Sequence, residues 1–417
     1  MRSKDAERMN HASPIGSEDL QERLAPLAGT SVFLTGHTGF KGSWLALWLA
    51  RLGAKVTGYS LDPPSEPSNF AVCDVREVLS AHHHGDIRDA EALGQAMRRA
   101  RPDLVLHLAA QSVVGEGYRD PRETFDVNVM GTIGVLEAVR SLDARCAVVC
   151  VTSDKCYQNV EQVWGYRECD AMGEHDPYGG SKGAAELAIR SWRHSFFPTR
   201  DIARHGVRLA SARAGNVIGG GDWKRDALIV DVVKALSQGR RVALRSPDAF
   251  RPWQHVLQAL SGYLLLSAKL LADDDPRWCD GWNFGPVPGN ELPVREVVEI
   301  FQRAWNGNTG DAGWIDASGG DHPREANILR LSIDKALWQL DWRPGWSVHE
   351  VLERSAEWYR AHLGGDVDMR ELSLRQIADY EDALPPPEAE PAAETTGLAP
   401  NHVSALRAAQ RHDRSPS

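Results

Sequence analysis

The chain has 417 residues, of which 42% are hydrophobic and 25% charged, and a formal charge of −10. That length can bury a large core in one large domain or two interlocked ones, and the composition is ordinary for a globular protein. The negative charge argues against a nucleic-acid or membrane partner. No apolar run is long enough to span a membrane and MRSKDAERMNHASPIGSEDL has no apolar signal core, so a soluble, cytoplasmic protein is expected.

Residues 1 to about 28 are polar and irregular and read as a flexible lead-in. Ser31–Thr35 (SVFLT) has the apolar run of a short buried strand and feeds directly into Gly36-His37-Thr38-Gly39-Phe40-Lys41-Gly42. The following SWLALWLARLG is apolar at helical spacing and stops at Gly53. Strand, glycine turn and helix make a phosphate cradle. Glycines let backbone approach a pyrophosphate, and the helix N-terminus offers free N–H groups and a positive dipole end. Gly36, Thr38, Gly39, Phe40 and Gly42 are therefore candidate contacts to a dinucleotide cofactor.

A second strand is expected over 54–59. An acid at its end would bind the adenosine ribose of NAD. Here Ser60 stands there and Asp62 follows, so Asp62 is either a ribose contact or a solvated loop acid before Pro63. No arginine stands at this strand end, which favours NAD over NADP. His82-His83-His84 point in alternating directions in an extended segment, so no metal site is expected. Asp86 and Ile87, at the end of a third strand, are candidates to cradle adenine. Leu108, Ala109 and Ala110 end a fourth strand (104–110) whose small terminal residues let a flat ring lie on the backbone. The six cysteines form no Cys-x-x-Cys pair and read as reduced, packing thiols.

Helical period returns over 125–140. Asn128 inside it either satisfies the helix itself or holds active-site backbone or a water. A fifth strand, 147–153, delivers Ser153, Asp154 and Lys155 at its carboxyl end, where ligands collect in open α/β sheets. Tyr178 and Lys182 are four apart on a helix and share a face. A neighbouring cation favours phenolate and lowers a tyrosine pKa from about 10, which makes Tyr178 a candidate base for an alcohol proton. The pattern is loose, and a surface pair on one helix turn satisfies it equally.

A sixth strand at 206–221 opens into a glycine-rich loop. From there Asn216, Trp223, Lys224, Arg225 and Arg251 bring together polar, basic and aromatic groups that suit a nucleotide diphosphate with a base to stack. With 14 tryptophans in the chain, a packing role competes for any one of them. Further helices are expected near 264–271, 294–305, 333–340, 348–363 and 369–384. The composition of Pro385–Ser417 is that of a disordered tail. The expected organisation is α/β: a Rossmann-type doubly wound parallel sheet over 29–215, then a smaller C-terminal substrate-binding α/β domain over 216–384 from which a segment can return to the sheet.

GHTGFKG, LAAQS, VTSDKCY and DPYGGSK together resemble the extended short-chain dehydrogenase/reductases that act on nucleotide sugars, the NAD-dependent epimerase/dehydratase family. WGYRE (Trp164–Glu168), ARAGNVIGGGDW (Ala212–Trp223) and RPWQHVLQALSGYL (Arg251–Leu264) are similar to its 4,6-dehydratases of the CDP-glucose branch. The resemblance spans residues 28–384. It implies that Tyr178 takes the proton of the glucose 4-hydroxyl as hydride passes from C4 to NAD, that Ser153 hydrogen-bonds the 4-oxygen, and that Lys182 holds the nicotinamide ribose. It further implies Asp154 as the acid for the departing 6-hydroxyl and Lys155 in the place of the C5 base. Such enzymes commonly form homodimers through two long helices per subunit, here 125–140 and 178–195.

Three positions depart from the family pattern. Gly115 follows Val114 where a basic residue is usual, Ala227 replaces an arginine, and Arg324 replaces a histidine. Lys224, Arg225, Arg251 and Arg324 are the cations left to grip a pyrophosphate, so the nucleotide is less defined than the chemistry. Lys155 poses a separate question. To be half neutral at pH 7 its pKa must fall by about 3.4 from about 10.4, roughly 4.6 kcal/mol. The alternative is that Lys155 stays charged and stabilises the enolate while another group or a water takes the proton. A 4-epimerase shares the Tyr/Lys pair and a non-catalytic NAD or nucleotide sensor shares the fold. The Asp154–Lys155 pair argues against the first, and intact Ser153, Tyr178 and Lys182 argue against the second.

Overall fold

The computed structural model of the chain describes residues 20–225, 227–287, 292–306, 313–319 and 328–383. Seven parallel strands form its central sheet: β1 Ser31–Thr35, β2 Lys55–Ser60, β3 Ala81–His84, β4 Leu104–His107, β5 Cys146–Val151, β6 Val207–Ala214 and β7 Gly281–Phe284. Every residue of β5 and β6 is buried, as expected of parallel strands covered on both faces. The order β7-β6-β5-β4-β1-β2-β3 places the reversal of direction between β1 and β4. Ligands of doubly wound sheets sit beside such a switch point, at the carboxyl strand ends. Val32 of β1 pairs with both Val56 and Leu104, which fixes the register there.

One face is covered by α1 (Phe40–Arg51), α5 (Val256–Ala272) and α6 (Met369–Ala383), which bury Trp44, Trp48, Leu260, Tyr263 and Tyr380. The other is covered by α2 (Ala90–Ala100), α3 (Gly131–Arg140) and α4 (Pro177–Ser195), which bury Leu93, Met97, Val135 and Ile189. The far end of α1 is tied to α6. Glu381 accepts from Trp48 Nε1 at 2.7 Å and pairs with Arg51 at 3.1 Å.

Four expectations change. Residues 20–27, read as loose lead-in, are helical, and Leu20, Leu24 and Leu27 are buried. The helix expected near 264–271 begins eight residues earlier. His255 and Gln258 form a capping box, and nearly every side chain from Val256 to Ala268 is buried, so no polar face marks its period. The third strand is the histidine run itself, and Asp86 and Ile87 follow it. The helix expected over 125–140 is α-helical at Pro121–Phe125, π-helical at Asp126–Met130 and α-helical again in α3. The calls on Arg324 and on the 385–417 tail lie outside the described residues. Among the described residues no helix is long and apolar enough to cross a membrane.

Candidate active site

The glycine turn leaves β1 with Gly36 at φ +76°. A Cβ on Gly36 would lie 2.6 Å from Ala109 N, and one on Gly42 would lie 2.1 Å from Gly36 O. Side chains are therefore excluded where the turn, α1 and the end of β4 meet, and backbone forms the surface. Gly39 is the N-cap of α1, followed by Phe40. This bare turn at the start of a 12-residue helix fits a dinucleotide pyrophosphate. Ala109 and Leu108 donate their N–H groups to Thr35 Oγ1, both at 3.2 Å, which fixes the small-residue segment 108–110 beside the turn.

At the end of β2, Thr38 Oγ1 and Ser60 Oγ lie 2.8 Å apart. The side chain of Asp62 is 88% exposed and faces His84 at 3.5 Å, so the solvated-acid reading describes it and the Thr38–Ser60 pair occupies the strand end. Asp86 is held by Arg88 at 2.6 Å, while Ile87 is buried against Gly131 of α3. His37 Nε2 and His82 Nδ1 are 2.7 Å apart. Burial and the neighbouring His82 lower the His37 pKa to about 4, so this pair is neutral.

Tyr178 and Lys182, in the first two turns of α4, are both buried, with the ammonium 5.9 Å from the centre of the phenol ring. Asp176 caps α4 by accepting from Gly179 N at 2.9 Å, and Pro177 opens it. The surface-pair reading therefore fails. The sequence-based expectation of a depressed Tyr178 pKa fails as well. Burial raises it, Ser153 opposes this by a hydrogen bond, and Asp154 and Asp176 raise it further. Burial also brings Lys182 down to about 8, which limits the cation's help.

Ser153 and Asp154 are buried at the end of β5, and Ser153 Oγ donates to Asp154 Oδ1 at 2.9 Å. Burial raises the Asp154 pKa, against Ser153, Lys155 and Lys41. Its Oδ2 is buried without a partner among the described residues. Burial thus shifts this carboxyl in the direction a proton donor needs. Lys155 is half-buried, its backbone N bonded to Ser153 Oγ at 3.2 Å. Asn128 lies in the π turn. Its Oδ1 accepts from Gln111 N at 2.9 Å, and its Nδ2 donates to Gln111 O at 3.0 Å and Ser181 Oγ at 2.9 Å. It holds the backbone around the Tyr178 helix.

Lys41 was missed. Burial, then the nearby Lys224, lowers its pKa to about 8, and Asp154 opposes this. The sequence signal was a cation in an otherwise apolar helix start, read there only as part of a backbone cradle. The remaining candidates are more open. Lys224 and Arg225 are exposed, Lys224 lies 3.8 Å from Asp222, and Arg251 donates to Phe250 O. Asn216 is half-buried and its carbonyl accepts from Gln254 N at 3.1 Å. Trp223 packs edge-on against Tyr359 at 5.1 Å and beside His362 at 5.5 Å, so the packing role describes it. Among the described residues no cluster of three or more metal-ligating side chains occurs.

Residues 33–274 match the family model described as GDP-mannose 4,6 dehydratase. The chain is 46% identical over 355 residues to the CDP-glucose 4,6-dehydratase of Salmonella typhimurium, covering 85% of this chain and 97% of the relative. The chain belongs to this dehydratase family. The family sits within the extended short-chain dehydrogenase/reductases, and the UDP-glucose 4-epimerase of Halalkalibacterium halodurans is a more distant relative, 27% identical over 80% of this chain and 97% of its own. The dTDP-glucose 4,6-dehydratase DesIV of Streptomyces venezuelae, solved with NAD bound, shares the fold. Its TM-score is 0.65 at 24% identity, over 81% of this chain and 99% of that one. The dehydratase family is NAD-dependent, and the glycine turn described above fits that cofactor.

Proposed function

We propose that this chain is a CDP-glucose 4,6-dehydratase that converts CDP-glucose to CDP-4-keto-6-deoxyglucose. The observation that carries the reading is the Ser153–Asp154–Lys155 shelf beside Tyr178 and Lys182, with a buried Asp154 whose pKa burial raises. The 46% identity to a CDP-glucose 4,6-dehydratase supports it.

When bound, NAD supplies the acceptor for the C4 hydride, a positive ring charge that favours phenolate, and the donor that later reduces C6. Tyr178 takes the 4-hydroxyl proton, and Ser153 holds the 4-oxygen. Lys182 holds the nicotinamide ribose. Once C4 is a ketone the C5 proton is acidic, and Asp154 protonates the departing 6-hydroxyl as water leaves. Lys155 stands at C5, either as base or as the charge that stabilises the enolate. An epimerase needs no buried acid at this place, so the environment of Asp154 favours dehydration.

Lys224, Arg225 and Arg251, and Arg324 outside the described residues, grip the pyrophosphate. The protein acts as a homodimer in the cytoplasm. Phe125, Met130 and Leu187 are large apolar side chains, 40% to 55% exposed, on the two helical segments that family members use to pair. Sedimentation of the wild type as a dimer and of Leu187→Glu as a monomer is the expected outcome.

The decisive assay offers CDP-glucose, dTDP-glucose, UDP-glucose and GDP-mannose separately, with and without NAD, and reads the products by mass and by proton NMR, which separates epimers. Loss of one water from CDP-glucose alone is expected. Loss from another donor would reassign the nucleotide, and isomerisation without water loss would make the chain an epimerase.

A further inference from the structure

The WGYRE segment takes no part in the reaction scheme, yet a buried polar chain joins it to the helix of Lys182. Glu186 lies one turn beyond Lys182 on α4, and both are buried. Its carboxylate accepts from Thr152 Oγ1 at 2.5 Å, Ser211 Oγ at 2.8 Å, and Arg213 Nε and Nη2 at 2.9 and 2.7 Å. Arg213 Nη1 donates onward to Tyr157 OH at 2.6 Å and Glu168 O at 3.2 Å. Tyr157 OH donates to Asn283 Oδ1 at 2.7 Å, and Asn283 Nδ2 donates to Tyr166 O and Ser332 O at 2.9 and 3.1 Å. Gly165 sits so close to this strap that a Cβ would lie 2.4 Å from Ser332 N.

We propose that Glu186 is a positioning residue for the dehydratase reaction: its buried carboxylate holds Lys182 as an ammonium, and its ion pair with Arg213 ties that setting to segments 157–168 and 328–332. The inference rests on the reading of Lys182 as the cation beside Tyr178. The groups facing Lys182 are Lys41 from the glycine turn, His107 from β4, Cys156 after β5, and Tyr178 and Glu186 on its own helix. Lys41 repels it. Burial holds His107 neutral and keeps the Cys156 thiol and the Tyr178 phenol protonated. Glu186 is the anion of the set: burial disfavours its charge, but Arg213, Thr152 and Ser211 outweigh burial and hold its pKa below the ordinary value. Thr152 also makes the carboxylate a neighbour of the Ser153 shelf.

Glu186→Gln removes the anion and leaves the Arg213 charge unpaired, and both changes disfavour the ammonium. The rate of C4 oxidation, followed by reduced-nicotinamide absorbance in a single turnover with saturating NAD and CDP-glucose, should then lose its alkaline limb at a pH lower by about half a unit or more. Glu186→Leu with Arg213→Met leaves no buried charge unpaired and suits a variant that must fold. Its limb should move the same way by less. Glu186→Asp should return the limb to the wild-type position. A merely structural role lowers the rate at every pH and leaves the limb in place, and that result in either variant, Glu186→Gln or Glu186→Leu with Arg213→Met, once shown to be folded, overturns the proposal. A Lys182→Met variant with wild-type C4 oxidation would instead overturn the underlying reading of the site.

Discussion

The shelf at the end of β5 and the cation-bearing loop beyond β6 stand at opposite extremes of exposure. Ser153, Asp154, Tyr178 and Lys182 are buried, Ser153 is bonded to Asp154, and the helix of Tyr178 and Lys182 is capped by Asp176. Lys224 and Arg225 stand in solvent with at most a long ion pair. Pre-set donors in a dry site act strongly on developing charge, whereas exposed cations add binding that reorganises easily. In the function proposed above, the chemistry is thus built into the fold, and the choice of nucleotide falls to exposed side chains. The departures from the family pattern at Gly115 and Ala227 involve basic groups read as phosphate contacts, and neither is a residue of the shelf.

That contrast can be broken most sharply at Tyr178. Tyr178→Phe should lower turnover by about 10²–10⁴-fold with NAD still bound, measured as water loss per bound cofactor. Lys155→Ala should keep C4 oxidation and lose elimination by about 10²-fold or more, so that reduced cofactor accumulates without water loss. Unchanged dehydration would remove Lys155 from the C5 step. Next comes Lys224→Ala with Arg251→Ala, which should raise KM about tenfold and leave kcat within about twofold, the signature of uniform binding. A large fall in kcat would show that the exposed loop also shapes the transition state.

The smallest effect concerns stability. Lys182 has its pKa lowered by burial from 10.5 to about 8. Such a group costs stability wherever it is charged in both states, below about pH 8, and the cost vanishes as pH rises through 10.5. Lys182→Met should therefore melt higher than wild type at neutral pH while losing activity, and its advantage should shrink towards pH 10.5. A melting temperature that tracks the wild type at every pH would show that the site carries no such strain.

What was legible in the sequence was what is local in it. β1, the glycine turn and α1 are contiguous, and the Tyr178–Lys182 spacing needs only one helix. Burial was not legible, and it reversed the expected direction of the Tyr178 pKa. Nor were partners that meet across the fold. Glu186 and Arg213 are 27 positions apart, and Tyr157 reaches Asn283 over 126. The start of α5 was hidden because its surroundings are apolar on every side, and the helical period is a signal of contrast. Asp62 shows the reverse case: its place after the second strand allowed a ribose contact or a solvated acid, and its side chain is 88% exposed.

The clasp between Glu381 and Trp48 sets an order on the making of this protein. The indole of Trp48, near the far end of the helix after the glycine turn, finds its hydrogen-bond acceptor in the last described helix, 333 positions later. That bond can close only after residue 381 has been synthesised, and a chain cut short of residue 381 leaves the buried indole of Trp48 without its acceptor.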